Sequence, residues 1–429
     1  MPTSGFDSAV GAHRPRVLLL CPVDSYRLPA YVRAAQALDI ELVAGSQGEH
    51  SLIRELADGL HLDLARPAQA VEKICRYHRC RPFDGILASD DSTVELAALA
   101  AAKLDLTANS PDASRLARRK DLARARLADC GLPVPEHRLI DLRLGLAEQL
   151  RGFPLPAVAK PLSLAASRGV IRADTLDQLQ SACQRIAGII DDQADPDERH
   201  KILLEAYIEG FEVAADAVLI EGRLQPVALF DKPDPLRGPF FEETYYITPS
   251  RLDQSVQDQI WHAVRAACEC YGLRHGPVHA ELRIGARGPV LLEIAARTIG
   301  GDCARMFDGH LANSLEELAL ASAIGRCLPP AQSEGARGVL MIPIPRAGVL
   351  RRVDGSARAA AVAGIREVSI TARPGNRLRT LPEGASYLGF IFAEADTPDG
   401  AERSLRAAHA ELEIRIDPFW ELTGAAGPR

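Results

Sequence analysis

Leu291–Asp302 reads LLEIAARTIGGD. An apolar run carries one carboxylate, Glu293, then one guanidinium, Arg297, and breaks on Gly300 and Gly301. A charge inside an apolar strand is costly unless something pairs with it. The segment therefore asks what partners Glu293 and what Arg297 is for.

The answer begins just upstream. VHAELRI (Val278–Ile284) and VLLEIAAR (Val290–Arg297) flank GARG, which predicts a hairpin. With the turn centred on Arg287, constant-sum pairing sets Glu281 opposite Glu293 and His279 opposite Ala295. Period two then places His279, Glu281, Glu293, Ala295 and Arg297 on one face. Two carboxylates about 4 Å apart at an effective dielectric near 20 repel by roughly 4 kcal/mol. Protonation of one, or a cation between them, relieves this. A plain solvated face is the competing explanation, with Arg283 or Arg287 neutralising the acids; Arg283 shares the parity of the face. Oxygen ligands without cysteine or paired histidines favour Mg²⁺ over zinc. Mg²⁺ held this way completes its shell with water and substrate phosphates, so the hairpin predicts a nucleotide binder elsewhere in the chain.

Lysine is scarce, with only Lys73, Lys103, Lys120, Lys160, Lys201 and Lys232, while arginine is abundant. AVAKP puts Lys160 at a strand end, and lysine is a compact charge suited to phosphate oxygens. The following loop, SLAASRGV, is small enough to fold over a polyphosphate with its backbone N–H groups. LLEAYIEGFEV ends a strand at Glu205, crosses Ala206–Ile208 and presents Glu212 after Gly210. Such a hinge can offer backbone groups to an adenine edge and a carboxylate to ribose. Taken singly, a surface lysine before proline and a strand turn with exposed acids explain these stretches equally simply.

Further out, Val17–Val23 is a continuous apolar run, as expected of a strand buried on both faces. A helical pattern over Leu28–Leu38, a strand over Ile40–Gly45 and a strand at FDGILASDD (Phe83–Asp91) alternate as in a parallel sheet with helical cover. A helix is predicted over Ser114–Cys130, ended by GLPVP. The C-terminal part mixes short strands with a final helix, DGAERSLRAAHAELEIRI. The 429 residues predict two to four domains. A net charge of -7 without a basic face excludes nucleic acid and acidic membrane as partners. The first residues lack the apolar core of a signal peptide, and VLLLCPV is too short to span a bilayer. No C-x-x-C occurs among the nine cysteines, which read as reduced thiols of a cytoplasmic protein. No G-x-G-x-x-G follows Val17–Val23, which ranks a dinucleotide oxidoreductase low.

Taken in order, RRKDLARARLADCGLPVPEH, AVAKPLSLAASRGV, LLEAYIEGFEVAAD, VHAELRI and VLLEIAARTIGG resemble the motifs of the ATP-grasp superfamily. The resemblance spans essentially the whole chain. It implies an α/β and α+β protein: a parallel-sheet pre-grasp domain at 1–118, an ATP-grasp domain at 119–334 with its lid at about 155–212, and a C-terminal α+β domain at 335–429 similar to that of biotin carboxylase. It also implies roles. Lys120 and Lys160 would contact ATP, and Ser163 to Gly169, including Ser167, would close over the triphosphate. Glu205, Ala206 and Ile208 would line the adenine hinge, and Glu212 would hold the ribose. Glu281 and Glu293 would carry Mg²⁺, or Mn²⁺ in its place. Arg297, with the N–H groups of Gly300 and Gly301, would stabilise an anionic intermediate.

The chain departs from the family's E-x-N-x-R, since Glu293–Arg297 reads EIAAR and Ala295 cannot ligate. Water, or His279 from the opposite strand, would have to serve instead. The departures resemble the branch of L-amino-acid ligases, the dipeptide-forming members. FFEETYYITPS (Phe240–Ser250) looks like their approach to the amino-acid pocket, where Glu243 would meet a substrate ammonium; Tyr246 stands where a histidine is expected. The resemblance thus implies an ATP-dependent carboxylate–amine ligase acting on small amino-acid, carboxylate and amine substrates through an acyl phosphate; a homodimer is the general expectation for a soluble enzyme with closed symmetry. A carboxylase or formyl-phosphate enzyme of purine-type metabolism, or a catalytically silent nucleotide-binding protein, are the alternatives.

Overall fold

A computed structural model describes residues 13–23, 25–47, 58–330 and 334–419. The N-terminal stretch that lacks a signal-peptide core lies almost wholly outside them. β1 (Arg16–Leu20), β2 (Glu41–Ser46), β3 (Asp58–His61) and β4 (Gly85–Ala88) form a parallel sheet in the order β3-β2-β1-β4. Period two divides β1 between two cores. Val17 and Leu19 pack with residues of the helices Leu28–Ala37 and Leu315–Ala323. Leu18 and Leu20 pack with residues of Pro67–Cys80 and Asp91–Lys103. Hence the uninterrupted apolar run. One of its covers comes from far along the chain, and Gly85 is the close approach: a Cβ there would lie 2.3 Å from the Ala323 carbonyl oxygen.

β5 (His137–Asp141), β6 (Ala157–Pro161), β7 (Ile171–Ala173) and β8 (Lys201–Ala206) make a small antiparallel sheet, order β5-β8-β6-β7, backed by the helix Leu176–Ile190. β9 (Phe211–Ile220), β10 (Arg223–Asp231), β11 (Tyr245–Thr248), β12 (Gly276–Gly285), β13 (Gly288–Ala295) and β14 (Ala336–Ile342) belong to the main sheet. After β15 (Gly348–Asp354) come β16 (Ile365–Ile370), β17 (Arg377–Leu378), β18 (Gly389–Ala395) and β19 (Glu413–Asp417). The main sheet runs β13-β12-β9-β10-β11-β14-β18-β16, and β17-β15-β19 form a separate sheet. The C-terminal strands thus continue the sheet that carries the acid hairpin.

β8 and β9 flank a turn as expected, and Tyr207–Gly210 crosses from the small sheet to the main one. Three sequence expectations change. The helix expected over Ser114–Cys130 is two helices, Pro111–Arg118 and Lys120–Asp129, broken where Arg119 takes an extended conformation (φ -95, ψ 103) and pairs with Asp121. The last helix stops at Ala410, and the following residues make β19, where alternating Ile414 and Ile416 suit a strand. Finally, the cysteines are not all thiols. Cys268 is buried in the core, and Cys270, two residues on, turns away from it to a disulfide with Cys130. Among the described residues no helix is long and apolar enough to cross a membrane.

Candidate active site

β12 and β13 pair as expected at the site, with Glu281 opposite Glu293 and His279 opposite Ala295. The route to that register differs. The turn is the two residues Ala286 and Arg287, so Gly285 faces Gly288 and Leu282 faces Leu291. Leu292 is then an extra residue, a β-bulge that shifts the register back by one. Arg124 fastens the bulge, donating to the carbonyls of Leu291 (2.8 Å) and Leu292 (3.0 Å). The same guanidinium meets Glu205 at 2.6 Å. One buried side chain therefore ties the acid hairpin to the end of β8.

The acids are satisfied by lysines, not by Arg283. Lys120 Nζ lies 2.9 Å from Glu293. Lys232 Nζ lies 2.9 Å from Glu212, 2.7 Å from Glu243 and 3.2 Å from Glu281. Arg283 instead meets Glu212 at 3.1 Å and the Ile208 carbonyl at 2.9 Å. Carboxylate oxygens of Glu212, Glu243 and Glu281 all lie within 4.8 Å of one another, with a single ammonium among them. Burial pushes the Glu281 carboxyl up, but Lys232 and His279 bring it below its ordinary value. Glu293 is likewise lowered, Lys120 overcoming burial. Glu243 goes the other way: burial and the neighbouring Glu281 hold it above the carboxylate range despite Lys232. Its second oxygen accepts from the Tyr246 hydroxyl at 2.6 Å. In this arrangement both Glu243 oxygens are engaged by protein groups.

His279 sits 2.7 Å from Asp216 through Nδ1 and 3.5 Å from Glu281 through Nε2. Burial opposes its charge, yet the two carboxylates raise it to about 9. Those two carboxylates favour its charged form, whereas a metal ligand must be neutral. Arg297 is held by Asp91 from the N-terminal sheet region, at 3.0 and 2.7 Å, and donates to the Thr298 carbonyl at 2.9 Å.

These groups open onto one cavity of about 670 Å³. Its lining includes Glu281, Glu293, His279, Glu243 and Glu212, together with Arg297, Gly300 and Gly301. Leu164–Ser167 of the β6–β7 loop, with Lys120 and Lys160, lines another wall, and Glu205, Ala206 and Ile208 line the hinge. Lys160 Nζ is 2.5 Å from Glu205. Burial raises Glu205, but Arg124 and Lys160 bring it down to about 2. Lys120 donates to the Leu164 carbonyl at 3.0 Å, tying the loop to the acid hairpin. Two of the sequence candidates lie off the cavity wall. Ser163 donates to Glu198 at 2.8 Å. Gly169 (φ +75) packs on Pro161 and donates its N–H to the Pro382 carbonyl.

Sequence reading missed Lys232, Asp216, Asp91 and Arg124. The signal for Asp216 was present, since an acid within VAADAV is the same anomaly as Glu293 in its strand. Lysine scarcity, applied to Lys160, applied equally to Lys232. Nothing local marks Asp91 or Arg124, whose partners are 206 and 167 residues away.

A family model described as an ATP-grasp domain matches residues 153–306, an ATP-grasp N-terminal domain matches 32–107, and an L-amino acid ligase C-terminal domain 2 matches 340–417. Carnosine synthase 1 of Gallus gallus is 32% identical over 248 residues, covering 54% of this chain and 26% of that protein. An alanine–anticapsin ligase of Bacillus subtilis is 25% identical over 257 residues, covering 56% and 54%. The chain spans between 26% and 60% of the length of the first curated relatives it matches. The crystal structure of an L-amino acid ligase from Bacillus licheniformis superposes with a TM-score of 0.82 at 24% identity, covering 94% of this chain and all of that one. That likeness is one of fold, and biotin carboxylase structures share the fold at lower similarity.

Proposed function

We propose that this chain, an ATP-grasp protein related to L-amino-acid ligases, is an ATP-dependent carboxylate–amine ligase that joins amino-acid-like substrates through an acyl phosphate. The observation that carries the reading is the single cavity. It gathers a small-residue loop with two lysines, the hinge Ala206–Ile208, a cross-strand acid pair, and an arginine beside two glycines.

The residues fit a divalent cation. Carboxylates crowd within 4.8 Å of one another around a lone ammonium, a donor set of hard oxygens suited to Mg²⁺. Glu281, which belongs to that cluster, would hold it together with Glu293, which faces Glu281 across the strand pair but lies outside the cluster, and when bound it would offset charge on phosphate oxygens. The residues themselves do the rest. The loop Leu164–Ser167, with Lys120 and Lys160, binds the polyphosphate and excludes water from a hydrolysable product. The hinge at Ala206–Ile208 takes the base, and Glu212 takes the ribose, each held in place by Arg283 or Arg124.

A substrate carboxylate oxygen attacks the γ-phosphorus, ADP leaves, and an acyl phosphate results; this step is mainly positioning and electrostatics. The amine nitrogen then attacks the acyl carbon, loses a proton, and phosphate departs with its bonding pair. The tetrahedral intermediate is anionic, and donors fixed in advance stabilise it. Arg297, immobilised by Asp91, and the N–H groups of Gly300 and Gly301 serve that role.

The test is phosphate release with ATP, Mg²⁺ and amino acids in pairs, followed by mass spectrometry of the products. ADP, phosphate and a condensed product should appear together. No phosphate with any pair would contradict the reading, and dependence of ADP release on bicarbonate would favour a carboxylase instead.

A further inference from the structure

We infer that Arg27 holds the free carboxylate of the amine-bearing substrate, so that amino acids are preferred to simple amines as acceptors; the inference rests on the ligase reading above. Arg27 lies just before the helix Leu28–Ala37 and is 7% exposed. Its Nε donates to the Tyr26 hydroxyl at 3.1 Å, and one terminal nitrogen donates to the Thr298 carbonyl and hydroxyl, each at 3.1 Å. Among the described residues no carboxylate pairs with it, and its other terminal nitrogen has no hydrogen bond. That nitrogen is not sealed in protein. It belongs to a residue lining the main cavity and also a second cavity of about 260 Å³.

The surroundings sharpen the imbalance. Arg27 and Arg297 both donate to the Thr298 carbonyl. Both also converge on Gly300, where a Cβ would lie 4.0 Å from a terminal nitrogen of each. Asp91 serves Arg297. Of the other acids here, Asp302 pairs with Arg305 at 2.8 Å, Asp90 accepts from the helix start at Ser92 and Glu317 accepts from Ser314, while Asp308 on the second cavity forms no ion pair with Arg27. Glu316, on the second cavity, is pushed up by burial more than Arg27 and Arg33 draw it down. Of these two buried guanidiniums only Arg297 has a carboxylate partner among the described residues, and an unpaired buried charge is costly. Among the described residues no anion meets Arg27.

Its place decides which anion. Phosphates belong to the loop Leu164–Ser167 and Lys120, and Lys120 reaches Glu293, not Thr298. No residue of that loop lines the second cavity, whose walls include Ala34, Ile299 and Ala304. An amine approaching an acyl carbon beside Gly300 and Gly301 from this side brings its own α-carboxylate to Arg27. A planar guanidinium receives a carboxylate through two parallel hydrogen bonds.

The experiment measures kcat/KM for an acceptor amino acid and for its own amide, in the wild type, Arg27→Gln and Arg27→Lys. Hydroxylamine, which has no carboxylate, traps the acyl phosphate in parallel. The wild type should prefer the acid. Arg27→Gln should lower the acid-to-amide ratio about 10- to 100-fold, through KM for the acid, and Arg27→Lys should recover part of it. Hydroxamate formation should continue in both variants, which also shows that they are folded. An unchanged ratio in both variants overturns the inference. So does loss of hydroxamate in a variant that ATP still stabilises against heat, since that puts Arg27 on the phosphate side. A wild type that forms no hydroxamate with any acid removes the ligase reading, and the inference with it.

Discussion

The two ends of the cavity are unbalanced in opposite senses. At the hairpin, three carboxylates close on the one ammonium of Lys232. At Thr298, two guanidiniums donate to one carbonyl, and of the two only Arg297 pairs with a carboxylate, Asp91, among the described residues. A protein with no ligand to bind would pair such buried charges one to one. Arg283 and His279 also meet Glu212 and Glu281, so the acid end is crowded with carboxylates but not without cations, whereas Arg27 at the basic end meets no carboxylate among the described residues. The proposed metal and anionic substrate group would bear on these two ends in opposite senses.

The comparison can be broken at either end. Glu281→Gln removes an acid from the crowded end and should lower turnover about 10³-fold or more, because charge on the phosphoryl group is left uncompensated. Steady-state ADP formation measures it, and near-normal turnover would remove the metal role. Lys232→Met withdraws the only ammonium from three acids. Breaking a buried ion cluster costs about 3–5 kcal/mol, so denaturant unfolding without metal should show a large loss. Added Mg²⁺ should raise the variant's Tm more than the wild type's. At the other end, Arg297→Ala should leave ATP binding intact while lowering ligation about 10²- to 10³-fold; equal losses in both would assign Arg297 to the nucleotide.

The smallest effect lies between the ends, at Glu205. Its folded value of about 2 lies below the ordinary 4.5. The contribution is therefore fully present above about pH 4.5 and is lost as pH falls toward 2. It amounts to roughly 3 kcal/mol. Glu205→Gln should flatten the acid limb of a stability–pH profile, and an unchanged limb would contradict the Arg124–Glu205–Lys160 cluster as its source.

How much of this was legible follows from range. The apolar run of β1 and the pairing of Glu281 with Glu293 could be read because strand period and hairpin pairing are local rules. The pairing came out right although the turn is one half-step earlier, because the bulge at Leu292 offsets the difference; a bulge has no local sequence mark here. Arg297 was legible as a charge awaiting a partner, but its partner Asp91 belongs to another sheet region. Arg27 carried no signal at all: an arginine in a polar turn is ordinary until Thr298 is folded against it. The Cys130–Cys270 bridge was hidden for the same reason, spanning a separation of 140 residues.

The central claim is that a carboxylate is activated by phosphoryl transfer within this cavity. The direct test uses a substrate acid labelled with ¹⁸O in its carboxylate, turned over with ATP, Mg²⁺ and an amine. An acyl phosphate transfers one labelled oxygen to the released phosphate, readable by mass spectrometry. Condensed product formed with unlabelled phosphate, or with the label in AMP, would contradict it.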